Sequence, residues 1–336
     1  MTQIFVDDIY YEGVTLAHDF SKTICGFGIS ESKLLNPNGA TVYLDSVYYD
    51  KSRLDQPRFC QSYVSGSETF DLTMKNRADV YDNALLLITN LTLFETSQCG
   101  DMKYLNDAKI LGNAFIFAMY NDRIFNDNRL RNSYTCGDLK SGNANPFAKL
   151  PGWWDTDSLK WFEDPSCVST STGNIAWAGL ALTSLYEVTL DGKYLGAAQD
   201  LANWCIKNMK DSINIGFTGG FEGWEPGSEQ KKISWKSTEH NIDLFALFTR
   251  LDKINPSPDY HSAAINAKDF VLSMWNSVDN HFWTGTDNSG ITPNTNNIPL
   301  DIQAWYIMAF EDSVSKYSKS ILWANDNCKM TYKSPN

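Results

Sequence analysis

In the segment STEHNID, residues 237–243, two hydroxyl side chains precede Glu239, His240 and Asp243, and the apolar run LFALFTRL follows. Carboxyls and an imidazole this close together are the groups that give and take protons in general acid–base chemistry. Ser237 or Thr238 is placed to cap a helix, although neither has Glu or Gln three residues on. Glu239 in the first turn gains from the helix dipole, which lowers a carboxyl pKa and suits a base or nucleophile unless burial opposes it. Asp243 follows by four residues, shares that helix face and stands among apolar neighbours, where a carboxyl must be paired or functional. A well-capped helix entering a core accounts for the same residues, and both readings are open.

Further candidates lie elsewhere. The loop GFTGGFEGWEPGSEQKKISW, residues 216–235, sets Glu222 and Glu225 among glycines that let backbone approach a ligand. Its Trp224 and Trp235 offer flat apolar faces of the kind that stack on sugar rings. LPGWWDTDSLKWFEDP, residues 150–165, places Asp155 beside Trp153 and Trp154, an aromatic and acidic loop that reads as a groove wall or as a solvated cluster. Asp82 and Asp301 each head a long apolar run, as do Asn174 and Asn241. Capping explains such residues; convergence on one mouth would make them functional. Trp177, with Trp305 and Gln303, is expected to pack near that mouth, and Trp177 is counted with the ligand-facing set. His240 and His281 precede or open apolar runs as well.

The elements that must position these residues come in two kinds. DNALLLITNLTLF from Asp82, NIAWAGLALTSLYEV from Asn174, NIDLFALFTRL from Asn241 and DIQAWYIMAF from Asp301 are apolar nearly all round and read as buried helices. Each is followed, after a short turn, by a helix with a polar face: 102–120, 192–209, 258–275 and 315–325. The passages from each polar-faced helix to the next buried one are long and rich in Gly, Trp, Asn and Pro. An inner ring of buried helices wrapped by an outer amphipathic ring explains both kinds and puts the long loops on one face. The fold class is therefore all-α, an inner ring of buried helices inside an outer ring of amphipathic ones over 76–336. Residues 1–75 form an N-terminal lead-in, with short strands expected in ATVYLDSVYYD and RFCQSYVSG. The chain ends soon after its fourth hairpin, so the ring is expected to be completed by N-terminal segments or to continue beyond the C-terminus.

Composition narrows the partners. A net charge of −12 over 336 residues, with no Lys/Arg-rich run, disfavours nucleic acid and anionic membrane surfaces but not neutral ligands. No stretch of about 18 apolar residues offers a membrane span. The seven cysteines are scattered without a CxxC pair, which argues against a zinc site and a complete disulfide framework. The acidic N-terminus has no visible signal peptide, which leaves the cytoplasm or a non-classical export route. A monomer is expected.

STGNIAWAGLALTSLYEVTLDGKYLGAAQDLANW, WKSTEHNIDLFALFTRL and IPLDIQAWYIMAF resemble the six-hairpin glycosidase superfamily, an (α/α)6 toroid, over roughly 76–325. The adjacent Asp pair of the α-1,6-mannanase-like families occurs here only as Asp7–Asp8. The Cys/His ligands of lanthionine cyclases and the DxDD motif of hopene cyclases are missing. The resemblance implies a carbohydrate substrate in a groove at the N-terminal ends of the inner helices, worked on by carboxylates without cofactor or metal. Glycoside hydrolysis needs one protonated carboxyl and a second carboxylate. Glu239 or Glu222 would be one, and Asp82, Asp155 or Asp301 the other, with Asp243 in reserve. Two alternatives stand beside hydrolysis: a sugar epimerase or isomerase using His240 and His281, and a carbohydrate-binding protein without activity.

Overall fold

The computed structural model describes residues 57–64, 72, 74–97, 100–139, 147–225, 230–311 and 315–329, and the backbone of 4–6 and 9–11. Four helical hairpins follow one another among these residues. Helix α1 (Val80–Thr96) pairs with α2 (Met102–Tyr120), and α3 (Thr172–Thr189) with α4 (Gly192–Asn208). Helix α5 (Thr238–Ile254) pairs with α6 (Pro258–Ser273), and α7 (Asp301–Phe310) with α8 (Lys319–Asn327). The odd-numbered helices also pack on one another in sequence, α1 on α3, α3 on α5 and α5 on α7, and so form the inner layer. Their burial follows from composition: on α3 Ile175, Ala176, Ala178, Ala181, Leu182 and Leu185 are fully buried. No helix among the described residues is long and apolar enough to cross a membrane.

The helix starts differ in register from the sequence reading. Helices α1, α3 and α5 begin two or three residues before Asp82, Asn174 and Asn241, and their N-cap residues are Asp79, Ser171 and Ser237. A cap needs an extended backbone, and these three residues have it, with ψ between 133° and 138°. Only α7 starts at the residue that heads its run, Asp301.

The first turns do other work. Asn83, Asn241 and Gln303 each donate to the carbonyl four residues back, that of Asp79, Ser237 and Pro299 at 2.9, 2.8 and 3.1 Å. The same three amides grip both the N–H and the C=O of one extended residue, Cys60, Phe217 and Phe282 respectively. Helix α3 has Ile175 at the corresponding place, and Asn132 acts there instead, accepting from Ser171 N at 2.7 Å and Asn174 Nδ2 at 3.0 Å. An amide suits this task because it presents a donor and an acceptor together.

Short antiparallel pairings finish this end of the molecule. Arg77–Asp79 pairs with Ser133–Thr135, Thr170–Ser171 with Gly220–Phe221, and Ser237 bridges to Gly285. Each N-cap segment is thus held by the chain that leaves the following outer helix, so the long loops gather where the inner helices begin. Gly220 (φ 126°) and Gly285 (φ 145°) occupy equivalent places, and a Cβ on either would come within 2.0 Å of a carbonyl oxygen, of Thr170 or Lys236. Of the expected N-terminal strands, Arg58–Phe59 forms and pairs with Gly137–Asp138, with Phe59 against Phe115 at 4.9 Å. Ile4–Val6 pairs with Ile9–Tyr11. ATVYLDSVYYD lies outside the described residues.

Candidate functional site

Carboxyls from three inner helices meet at this mouth: Asp82 on α1, Glu239 and Asp243 on α5, and Asp301 on α7. Their convergence is read at Tyr81, whose hydroxyl is pushed up by burial and then by Glu239, Asp243, Asp301 and Asp82 in turn. Beneath them Trp177 of α3 touches Tyr81 and Trp305 edge-on, at centroid separations of 5.5 and 5.6 Å, and so joins α1, α3 and α7 in an aromatic floor. Among the described residues none of these carboxyls is in an ion pair. Burial first, and the neighbouring Asp301 second, push the Glu239 carboxyl up to about 7. The dipole of α5 acts in the opposite direction and is outweighed. Asp243, one turn deeper and buried, is raised well above the usual carboxylate range by burial and then by Glu239, against an opposing pull from Trp177. Asp243 Oδ2 and Trp177 Nε1 are both buried without a hydrogen-bond partner.

A cleft of about 430 Å³ opens at Glu239, lined also by Trp235, His240, Thr284, Asn288 and Asn294. Ser237 sets the start of α5 through Oγ, which accepts from His240 N at 3.3 Å. The His240 ring lies beside Trp235 at 5.9 Å, and a Cβ on Gly173 would come within 2.5 Å of its Cδ2. Burial pushes this imidazole down to about 4, so it is neutral at neutral pH, and Nδ1 has no hydrogen-bond partner. Among the described residues no group of three His, Cys, Asp or Glu side chains is placed to hold a metal ion.

Several sequence candidates lie elsewhere. Asn241 is fully buried and engaged with Phe217, so its amide is closed to a ligand. His281 is buried, its ring against Trp283 at 4.3 Å and Trp323 of α8 at 4.8 Å, while His240 lies against Trp235 and Gly173. His281 is not among the residues that line the cleft holding His240. Asp155 caps the tip of the hairpin Trp153–Phe162, and its carboxyl is held low by Ser158 Oγ and then by Ser158 N. Glu222 is exposed on a strand opposite Lys231. Trp154 and Trp224 are exposed, and Trp153 stacks on Phe162 at 6.0 Å.

Glu225 belongs to a different cluster. It accepts from Arg123 Nε at 2.8 Å and from Arg131 Nη1 at 3.3 Å, while Arg123 also holds Glu163 and the fully buried Arg131 holds Asp122. Burial works against the charge on Glu225 and Asp122, but the arginines outweigh it and keep both carboxyls low.

Tyr81 and the loop 284–294 were not singled out from the sequence. Tyr81 is adjacent to Asp82, and TGTDNSGITPN carries the small polar side chains of a polar wall, but only the fold brings either to Glu239.

The fold is of the (α/α)-toroid type. Among solved structures it is similar to a cellobiose 2-epimerase from Bacillus thermoamylovorans, with a TM-score of 0.53 at 16% identity over 74% of this chain and 59% of that one. A D-mannose isomerase matches with a TM-score of 0.51 at 16% identity, over 74% of this chain and 58% of that one. A family 76 glycoside hydrolase from a bovine Bacteroides thetaiotaomicron strain matches with a TM-score of 0.50 at 13% identity, over 79% and 51%. The chain therefore spans between 51% and 59% of the length of these three proteins. No protein-family model matches the chain, and no curated protein matches it in sequence.

Proposed function

We propose that the chain is a glycoside hydrolase acting on a neutral oligo- or polysaccharide bound in the cleft over Glu239. The observation that carries this reading is that Glu239 lines the cleft and that burial, with the neighbouring Asp301 after it, pushes its carboxyl up to about 7. Two carboxyls in unequal environments divide the roles that glycoside hydrolysis requires. Glu239, protonated in about half of the molecules at neutral pH, delivers its proton to the leaving glycosidic oxygen. Asp301, at the start of α7, is the carboxylate that activates water or attacks the anomeric carbon. Trp235 supplies the face on which a sugar ring lies, and Asp243 with Trp177 forms the base of the site. The fold likeness to a family 76 glycoside hydrolase is compatible with this chemistry. None of the four inner helices among the described residues starts with an adjacent Asp pair, which separates them from the α-1,6-mannanase-like pattern.

The test is product analysis on a panel of neutral glycans. Glu239→Gln is expected to lower turnover by roughly 10²–10⁴-fold, the usual worth of a positioned general acid, while Glu222→Gln leaves it unchanged. Full activity in the Glu239→Gln chain would sink the assignment.

A second reading, epimerisation, is favoured by one observation: His240 presents a neutral imidazole beside Glu239 in the same cleft. The same assay run in deuterium oxide separates the two. Epimerisation carries solvent deuterium into an uncleaved sugar, and hydrolysis shortens the chain.

A further inference from the structure

The loop 284–294 is held more firmly than its surface position requires. Lys236 and Thr286 bond twice, Thr286 N to Lys236 O and Lys236 N to Thr286 Oγ1, both at 2.9 Å. Lys236 Nζ donates to Gly290 O at 3.0 Å, Ser234 Oγ to Asn288 O at 2.6 Å, and Thr238 Oγ1 to Trp283 O at 2.6 Å. Within the loop, Asp287 N donates to Thr292 O and Asn294 N to Gly285 O, both at 2.8 Å. Gly285 makes the close approach to Lys236 possible, since any larger residue would place its Cβ 2.0 Å from the Lys236 carbonyl oxygen.

What this frame holds toward the cleft is a set of unengaged, uncharged polar groups. The Asn288 side chain and Thr284 Oγ1 have no hydrogen-bond partner among the described residues. Asn294 accepts from Asn296 N at 3.0 Å and keeps its Nδ2 free of such partners. A cation does line the cleft, Lys236, but its ammonium is buried and bound to Asp211 at 2.6 Å as well as to Gly290. An anionic ligand would therefore find no available positive charge and would face Asp287 and Glu239. A sugar hydroxyl both donates and accepts, and a carboxamide answers it with either role.

From this we infer that the loop 284–294 is the specificity wall of the cleft: Asn288 and Asn294 read the hydroxyls of an uncharged saccharide lying on Trp235, and the site excludes uronates and phosphorylated sugars. The inference rests on the carbohydrate reading above and deepens it. A loop whose backbone is held in this way binds without the cost of ordering that backbone.

The experiment measures binding by calorimetry to the Glu239→Gln chain, with cellobiose, mannobiose and maltose as neutral probes and digalacturonate as the acidic one. At least one neutral disaccharide is expected to bind and digalacturonate is not. Asn288→Ala and Asn294→Ala should each weaken the neutral sugar by about tenfold, the worth of one good hydrogen bond. Thr292→Ala, an exposed position of the same loop, should leave affinity and melting temperature unchanged and so controls for folding. Unchanged affinity in the Asn288/Asn294 double variant, or digalacturonate bound as tightly as the neutral sugars, would overturn the specificity wall while leaving the hydrolase reading intact. Failure of every saccharide to bind or be cleaved would overturn both.

Discussion

Two groups of acidic side chains on this molecule behave in opposite ways. In the clasp around Arg131, Asp122 and Glu225 are buried or partly buried and yet held low, because each has a guanidinium at hydrogen-bond distance. At the start of α5, Glu239 and Asp243 are raised, by burial first and then by neighbouring carboxyls, with no guanidinium to oppose them. Burial disfavours the charged form in both places; the partner decides which way the balance falls. The clasp ties the loop after α2 to the loops around residues 163 and 225, and its carboxyls have no proton to give. The cleft holds a carboxyl that titrates near neutral pH beside open space, which is the condition for an acid catalyst. The same residue type is a structural anchor in one place and a chemical group in the other.

The contrast can be broken most severely at Arg131. Arg131→Met leaves the buried Asp122 carboxyl without its partner, which is expected to cost roughly 3–5 kcal/mol in denaturant unfolding. A loss below about 1 kcal/mol would mean that the clasp is no anchor.

Asp243 offers the converse test. It is buried, unpartnered at Oδ2 and raised, so Asp243→Leu is expected to be neutral or to stabilise the chain by about 1 kcal/mol or more. Strong destabilisation in the same unfolding assay would show that Asp243 is paired through a bridging water.

The smallest effect sharpens the comparison through pH. Glu239 titrates near 7 when folded against an ordinary 4.5, so its contribution to stability is fully present below 4.5 and lost as pH rises through 7. His240 titrates near 4 against 6.5, so its contribution is present above 6.5 and lost as pH falls toward 4. Asp122 and Glu225 act in the same sense as His240, at lower pH. Unfolding of the wild type and of Glu239→Gln, compared from about pH 5 to about pH 8, should show a weaker decline toward neutral pH in the variant, where the raised Asp243 remains. Parallel pH profiles would contradict the raised carboxyl.

Particular residues show how much of this was legible beforehand. The run 301–310 is a helix as read, because a continuous apolar segment with an acidic start has few other solutions once its neighbours are helices. Asp82, Asn174 and Asn241 were read as heads of their helices, and the helices start earlier. An amide at such a position has two uses, local capping or gripping a distant strand, and only the position of Phe217 selects the second for Asn241. Glu239 stood out among its neighbours, but its role was open: the dipole of its own helix argues for a low pKa, whereas burial and Asp301, brought in from α7, raise it. Glu225 and His281 were attractive by type and context alike. Arg123 and Arg131 claim the first, and Trp283 and Trp323 enclose the second.

Sequence by itself determined the hairpins, which helices are inner and which outer, and the face on which the long loops gather, because these follow from local hydrophobic pattern and chain connectivity. Tertiary structure alone decided which acidic residues meet a guanidinium and which meet one another, and that the loop 284–294 closes the cleft over Glu239. A proton's affinity depends on charges a few ångströms away in space, and those lie tens of residues away along the chain.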